Sequence, residues 1–417
     1  MRLLILGINH APEIISIAVY TSGLAKAAAK AGHDVQVITA QPYFPAWKIF
    51  ETYPKFWYHF EPAQENLRVI HCPHYVPNNP TGARRILHHL SFAISAAPIA
   101  LWYALTKRPD LIMVIAPSLI SAPIGWLAAK LSGAKTWLHI QDFEVEAAFA
   151  TGLLNAQGLI GRLAKRFEAF TLRRFDKVST ISAPMLQKLR EKTVPESRLF
   201  ELRNWANLAA ITPQTRSTDL PAQFGIKTNF TALYSGNLAN KQGLEILPEV
   251  ARLLAHREDI TLVICGDGPL RDTLMRKCSP FKNTQFFPLQ PIEKLSDLLG
   301  MADVHLLPQI AQATDLMLPS KLTNMLASGR PVIATTEPNT ALADEVIGCG
   351  EITPPGDAAA LAQAIETLID NKPLCEIYSN AARARAIERW DSEKILSRFL
   401  IEAENLSAKS NLKKEAA

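Results

Sequence analysis

Apolar runs alternate along the chain with stretches patterned for helices. In the first half "RLLILGI" is followed by a helical pattern through "VYTSGLAKAAAKAG" and then by "DVQVITA". "LRVIHC", "LIMVIAP", "KTWLHIQ" and "KVSTIS" continue the series, with helical stretches between several of them. The second half restarts it: "FTALYSG", "ITLVICG", "TQFFPL", "VHLLPQI" and "PVIATT" alternate with "LEILPEVARLLAH", "LRDTLMRKC", "IEKLSDLLGMA" and "SKLTNMLASG". Such alternation predicts parallel sheets flanked by helices. The polar, proline-containing segment 208–229 interrupts the pattern. The expectation is an α/β protein with two Rossmann-like domains in tandem, their parallel sheets facing across a cleft. Residues 1–208 form the first domain and 209–395 the second, and 396–417 are a helix end with a polar tail that frays. A chain of 417 residues suits two domains of roughly 200.

Composition changes this picture little. Hydrophobic residues make up 48% of the chain and charged residues 20%, as in an ordinary globular protein. The net charge of +5 is scattered, apart from pairs such as Arg84-Arg85, Arg173-Arg174 and Lys413-Lys414. That weighs against a nucleic-acid partner and suits an anionic small molecule or membrane surface. Cys72, Cys265, Cys278, Cys349 and Cys375 share no metal-site spacing, and an odd count argues against a disulfide framework. A reducing, cytoplasmic setting is expected. "MRLLILGINHAPE" has a short apolar run without a cleavage pattern and reads as a first strand.

Two apolar segments stand out. "LSFAISAAPIALWYALT", residues 90–106, is uncharged, but it falls short of the ~20 residues of a spanning helix and contains Pro98. A buried helix of the first domain is expected. "YFPAWKIFETYPKFWYHF", residues 43–60, has nine aromatics with Lys48 and Lys55. A folded loop with its own small core and an interfacial anchor fit it equally.

Three strand-to-helix turns of the second half carry residue types suited to a diphosphate. In "YSGNLANKQGLEIL" the strand ends at Tyr234-Ser235-Gly236, where glycine permits close backbone approach, and Asn237 and Lys241 follow. "VICGDGPLRDTL" places Gly266-Asp267-Gly268-Pro269 between strand and helix. In "LPSKLTNMLASG", after Pro319, Ser320 is expected to cap a helix, Lys321 supplies charge, and Asn324 shares that face one turn on. Each turn alone reads about as well as a plain loop or a solvated helix end. Together they lie at the C-terminal ends of parallel strands, where open α/β sheets bind ligands. In the first half, "LHIQDFEVE" ends a strand with His139 and Asp142, then Glu144 and Glu146. A lone histidine in an apolar strand more often packs in the core. Asp142, nearest the strand end, is the preferred carboxylate to orient or deprotonate an acceptor hydroxyl.

In order and spacing, "SGNLANKQGLEIL", "ICGDGPLR", "ADVHLLPQ" and "PSKLTNMLASGRPVIAT" resemble the donor domain of family-4 retaining glycosyltransferases of the GT-B fold. "GINHAPEIISIAVYTSGLAKAAAKAGHDVQVITA", "LHIQDFEVE", "STIS" and "RNWAN" extend the resemblance over nearly the whole chain. "ITAQPYFPAW", "HIQDFEVEA" and "LPSKLTNMLA" are most similar to the branch that builds exopolysaccharides of the colanic-acid type, a fucosyltransferase included.

The resemblance implies transfer of a sugar, with retention, from a nucleotide diphosphate sugar to a saccharide on a polyprenyl diphosphate. The protein would then work in the cytoplasm, peripherally on the inner face of the membrane. It makes Lys241 the diphosphate lysine and aligns Asn237 with an arginine of the family, whose charge Lys321 is positioned to replace. Gly266 and Gly268 fall beside the nucleotide, and Gln290 where backbone meets the base. The family's paired glutamates correspond to Leu316 and Asn324, with Asp315 next to the first, which leaves the Asn324 amide for the ribose. Glycines of the family's proline loop correspond to Ser16 and Ala18, whose N–H groups would meet a ligand. His139 and Asp142 occupy the active-site segment. No cofactor and no metal is required, since lysines and helix ends stabilise the departing diphosphate. A nucleotide-sugar epimerase of the same fold and a non-catalytic nucleotide-sugar-binding partner are the other functions that fit. A dinucleotide oxidoreductase fits less well, because no glycine fingerprint is followed by the expected acid.

Overall fold

The computed structural model describes residues 1–150, 155, 157–213, 219–239, 242–310 and 318–415. The chain divides into two units, Met1–Arg203 with Glu393–Ala417, and Asn204–Ser392.

In the first unit the apolar runs become β1 (Arg2–Gly7), β2 (Asp34–Ala40), β3 (His59–Phe60) and β4 (Leu67–Cys72). β5 (Leu111–Ala116), β6 (Lys135–Ile140), β7 (Lys177–Thr180) and β8 (Leu199–Glu201) follow. They form one sheet in the order β3-β4-β2-β1-β5-β6-β7-β8, parallel except at the edge strand β3. β5 is buried at every residue, which is why it reads as an unbroken apolar run rather than an alternation. The helices are α1 (Ser16–Lys30), α2 (Gly82–Lys107), α3 (Ala122–Ser132), α4 (Glu144–Ala150), α5 (Leu159–Arg174) and α6 (Ala183–Glu191). Phe92 of α2, Ala128 of α3, Leu172 of α5 and Leu186 of α6 share one core with Leu4, Leu138 and Ile140 of the sheet. The two-residue period of β6 sends Trp137 and His139 to the opposite face.

The apolar segment 90–106 lies within α2, which is long and apolar enough to cross a membrane by length and composition. Only one side of it enters the core, through Phe92, Ala96, Ala100 and Tyr103. Leu90, Ile94, Trp102 and Leu105 are exposed, so the segment is a core helix on one face alone.

The second unit contains β9 (Phe230–Ser235), β10 (Ile260–Cys265), β11 (Thr284–Phe287), β12 (Val304–Leu307), β13 (Val332–Thr335) and β14 (Gly350–Thr353). Its sheet runs β11-β10-β9-β12-β13-β14, and every pairing is parallel. The helices are α7 (Asp219–Gln223), α8 (Leu247–Leu253), α9 (Arg271–Cys278) and α10 (Leu295–Gly300), then α11 (Lys321–Ala327), α12 (Ala341–Val346), α13 (Ala358–Asp370) and α14 (Lys372–Arg389). Tyr234, Ile264 and Leu306 pack against α8 and α13, while Leu307, Val332 and Ala334 pack against α11 and α14. The strand order reverses between β9 and β12. That switch point opens a crevice at the C-terminal strand ends.

The last helix is α15 (Ser392–Glu415), which runs through the segment 396–417 expected to hold a helix end and a polar tail. The helix belongs to the first unit, and the unit boundary falls between Arg203 and Asn204 rather than at 208. Ile395, Phe399, Ala403 and Leu406 recur at helical spacing and are buried. Phe399 meets Trp137 edge-on at 5.5 Å, and Glu402 pairs with Lys177 at 2.6 Å. The polar composition of the segment conceals this apolar stripe.

Candidate active site

At the switch point the chain leaves β9 through Ser235 and Gly236, and Gly236 has a φ of +132°. A Cβ on Gly266 would overlap the Gly236 carbonyl oxygen, so the turns after β9 and β10 lie backbone against backbone only because position 266 is glycine. Hydrogen bonds join the two turns: Leu238 N–H to Asp267 O at 2.8 Å and Leu270 N–H to Leu238 O at 3.0 Å. The N–H groups of Gly236, Gly266 and Gly268 are all engaged, with Cys265 O, Phe287 O and the Asp267 carboxylate. These glycines therefore shape the turn rather than donate to a ligand. Arg271 completes the support by donating to Gly266 O at 2.7 Å.

Lys321, the first residue of α11, reaches back over this turn. Its Nζ lies 2.6 Å from the Tyr234 hydroxyl, 3.2 Å from Gln242 Oε1 and 4.3 Å from the Tyr234 ring centroid. A Cβ on Gly236 would fall 2.6 Å from Lys321 Cε, so the missing side chain is the space the lysine occupies. The Tyr234 hydroxyl donates to Asn237 O at 2.7 Å and therefore accepts from the ammonium. Burial pushes the Tyr234 phenol upward, which keeps it neutral beside the cation. Tyr234 was read from sequence only as a strand end. Its part in holding Lys321 depends on a contact distant in the chain.

The remaining donor-side expectations are met unevenly. Ser320 does not cap α11: it is itself helical (φ −60°, ψ −20°), and its hydroxyl makes no capping bond. Pro319 supplies the closing carbonyl instead, accepting from Leu322 N–H at 3.0 Å. Asn324 is half-buried one turn beyond Lys321, as the spacing predicts. Gln290 donates to Pro288 O at 2.9 Å and braces its own loop. Asn237 is exposed beside the turn. Lys241, Asp315 and Leu316 lie outside the described residues.

In the first unit, Ser16 opens α1 and Ala18 is fully buried. Helical bonding starts from Val19 N–H to Ile15 O, so the N–H groups of Ser16 and Ala18 precede it. The loop before α1 is organised by Glu13, which sequence reading passed over. Its buried carboxylate accepts from Tyr43 N–H and Phe44 N–H at 2.8 Å each and from the Asn9 amide at 2.8 Å. Burial raises its pKa, and the three donors oppose that rise. A glutamate among apolar residues in "NHAPEII" was the available signal.

His139, placed in the active-site segment by resemblance, is a packed core residue. It is 1% exposed, its Nδ1 lies 2.8 Å from Ser179 Oγ, and burial pushes its pKa down to about 3. The same hydroxyl accepts from Trp137 Nε1 at 2.7 Å. Asp142 is half-buried just past β6, beside a small cavity lined also by Ala116, Leu119, Ile140 and Glu144. Glu144 accepts from Leu119 N–H at 2.7 Å and approaches His89 Nε2 at 3.9 Å. Burial pushes its pKa up to about 7, the Leu119 bond opposes this, and the charge of Asp142 adds to it. Glu146 and Glu168 share Lys192, which neutralises that end of the cluster. Asp142 and Glu144 are thus neighbouring carboxylates, and burial makes Glu144 hold its proton more tightly than usual.

The chain matches known families and solved structures over nearly its whole length. Residues 16–205 match the family described as "Glycosyl transferase 4-like domain", and residues 229–371 match "Glycosyl transferases group 1". The chain is 37% identical over 410 residues to the protein of Escherichia coli (strain K12) named "Putative colanic acid biosynthesis glycosyl transferase WcaI", covering 96% of this chain and 99% of that one. It is 22% identical to N-acetyl-alpha-D-glucosaminyl L-malate synthase of Bacillus anthracis, covering 94% and 95%. Among solved structures it resembles sucrose-phosphate synthase from Thermosynechococcus elongatus, with a TM-score of 0.74, 17% identity, and coverage of 98% and 100%. Anabaena Alr3699/HepE, solved in complex with UDP, gives a TM-score of 0.68, 16% identity and the same coverage.

Proposed function

We infer the reaction from one premise: this chain belongs to the glycosyltransferases of the 4-like and group 1 families and is a glycosyltransferase of the GT-B fold. The reading is that it moves a hexosyl group, with retention, from a nucleotide diphosphate sugar to a lipid-linked saccharide in exopolysaccharide synthesis. Its setting is the cytoplasm. The single observation that carries the donor half is the Lys321 ammonium, fixed by Tyr234 and Gln242 over the glycine turn at the switch point. A diphosphate there would lie within reach of the Lys321 ammonium, and Lys241, the diphosphate lysine by resemblance, would add a second charge. That HepE binds UDP supports a nucleotide donor for this chain as well. The resemblance to WcaI supports an acceptor on the exopolysaccharide route, with fucose among the sugars to be tried.

In this reaction the bond from the anomeric carbon to the donor diphosphate breaks as the acceptor oxygen bonds to the same carbon. The acceptor proton passes to the departing phosphate, with Asp142 orienting the hydroxyl. Lys321 and Lys241 stabilise the charge that develops on the diphosphate.

The test is Lys321→Ala and Lys241→Ala, made separately. Each is expected to abolish transfer, with unchanged circular dichroism and a lost thermal shift by uridine or guanosine diphosphate sugars. Wild-type transfer in both variants overturns the site. Conversion of donor without any acceptor selects an epimerase, and donor binding without turnover on any lipid extract selects a binding partner.

A further inference from the structure

We infer that Lys192, at the end of α6, is a positioning residue for the acceptor: it clamps the segment Asp142–Glu146 and so fixes the Asp142 carboxylate just past β6. This role presupposes the proposed one of Asp142, which is to orient the acceptor hydroxyl.

The segment needs a hold from outside itself. β6 ends at Ile140, and α4 has only seven residues, too few to be stable through its own hydrogen bonds. Phe143 and Val145 are buried and give it some grip on the interior. Its acids work against that grip. Asp142 and Glu144 line one small cavity with Glu168 of α5, and Glu146 follows on α4. Four carboxylates in so small a space repel one another and press the segment outward.

Lys192 answers two of them at once. Its Nζ pairs with Glu146 Oε1, and lies 2.6 Å from Glu168 Oε2 and 5.7 Å from the centre of the Phe143 ring. One ammonium thus joins α4, α5 and the residue next to Asp142. Its own root is fixed: Lys192 N–H donates to Lys188 O at 3.0 Å, and Leu186 and Leu189 hold α6 in the core. Burial alone would lower the Lys192 pKa, but the hydrogen bonds of Glu146 and Glu168 reverse this and raise it, so the side chain keeps its charge. Glu146 Oε2 is buried and accepts no hydrogen bond from the described residues, which leaves that carboxylate to rely on the cation.

Without Lys192, Glu146 and Glu168 would face each other as like charges with little access to water, a strongly unfavourable arrangement. α5 and α6 are rooted in the core by Leu172 and Leu186, so the short α4 is the element that yields. Asp142 lies two residues before it and moves with it. Stability is a poor alternative reason for the cluster, because apolar residues in place of buried ion pairs usually stabilise a protein as well or better.

The full-length protein and its variants are assayed for transfer from a uridine or guanosine diphosphate sugar to a titrated extract of bacterial membrane lipids. Lys192→Met keeps the stem and removes the charge. It is expected to lower kcat/KM for the extract by about tenfold or more. Its KM for the donor and its donor-induced thermal shift should match wild type, because Lys321 and Tyr234 lie in the second unit. Lys192→Arg should stay within about threefold of wild type, and so should Glu168→Gln, which leaves Lys192 on Glu146. Amide exchange should quicken over residues 142–150 in Lys192→Met and not in Glu168→Gln. Wild-type acceptor kinetics in Lys192→Met, with Asp142→Asn inactive, overturn the inference. So does an equal loss in Glu168→Gln, which would make Lys192 a tie between α5 and α6. A matching rise in donor KM also overturns it, as a sign of general loss of structure. Transfer at the wild-type rate by Asp142→Asn overturns the role of Asp142 itself, whatever Lys192 does.

Discussion

The Ser179 hydroxyl lies between Trp137 Nε1 and His139 Nδ1 in a part of the first unit closed to solvent. The indole can only donate, so the serine oxygen accepts from it and remains able to bond the imidazole. Removing that oxygen strands buried polar groups, each at a cost of about 1–3 kcal/mol. Ser179→Ala is expected to lower stability by about 2 kcal/mol in urea titration, while donor-induced stabilisation persists. An unchanged midpoint would show that His139 is not held as described. Glu144 allows a test by pH. Its carboxyl binds a proton more tightly folded, at about 7, than at its ordinary 4.5. The unfolded chain therefore releases its proton first, and stability falls as pH rises from about 4.5 to about 7. Glu144→Gln should flatten that decline, by at most about 3 kcal/mol, in melts taken across the interval. An unaltered slope would place the carboxyl in water. At this scale the sequence was read unevenly. The position of Asp142 past a strand end and the packing of His139 were legible, whereas the contacts of Glu13 and Tyr234 depend on partners far along the chain.

Elements were more legible, because burial on both faces leaves an unbroken apolar run and the strand-helix alternation follows from parallel pairing. The interior of a turn was not. Ser320 has the residue type and position of a cap, but the chain enters α11 through Pro319 in a tighter turn, and the hydroxyl is unused there. Ser320→Ala should therefore change stability by less than about 0.5 kcal/mol, against about 1 kcal/mol for a working cap. A loss of the larger size in denaturant titration would restore the cap. Gly266 makes the contrasting case. Its glycine pattern is too common to identify a ligand, and its N–H is consumed by Phe287 O. Yet a Cβ there collides with Gly236 O, and the carbonyl has no flexible end that can yield. Gly266→Ala is expected to cost more than about 2 kcal/mol and to abolish the donor-induced thermal shift, since Gly236 lies beneath Lys321. Wild-type donor affinity would show that the two turns move independently of Lys321.

At the scale of the molecule, the last helix decides how the chain is partitioned. The sequence suggested two domains followed by a helix end and a polar tail, because residues beyond 395 are mostly polar and their apolar stripe is thin. The stripe suffices: Phe399 fills space against Trp137, Glu404 pairs with His33 at 3.0 Å, and Arg398 lies over the Phe200 ring at 5.8 Å. Each contact ties α15 to β2, β6, β7 or β8, or to the chain just before them, and the second unit has its own cores around β9, β12 and β13. Phe399→Ala leaves a cavity against Trp137, one of two fully buried tryptophans among the described residues, and losses of about 3–5 kcal/mol are usual for such a change. Amide hydrogen exchange can locate that loss. Faster exchange is expected in β6, β7 and α15, with β9, β10 and α11 unchanged, and a nucleotide sugar should protect only the latter group. Acceleration spread equally over both sheets would mean that the two cores unfold as one, and α15 would then be a strut for the whole protein rather than a part of the first unit.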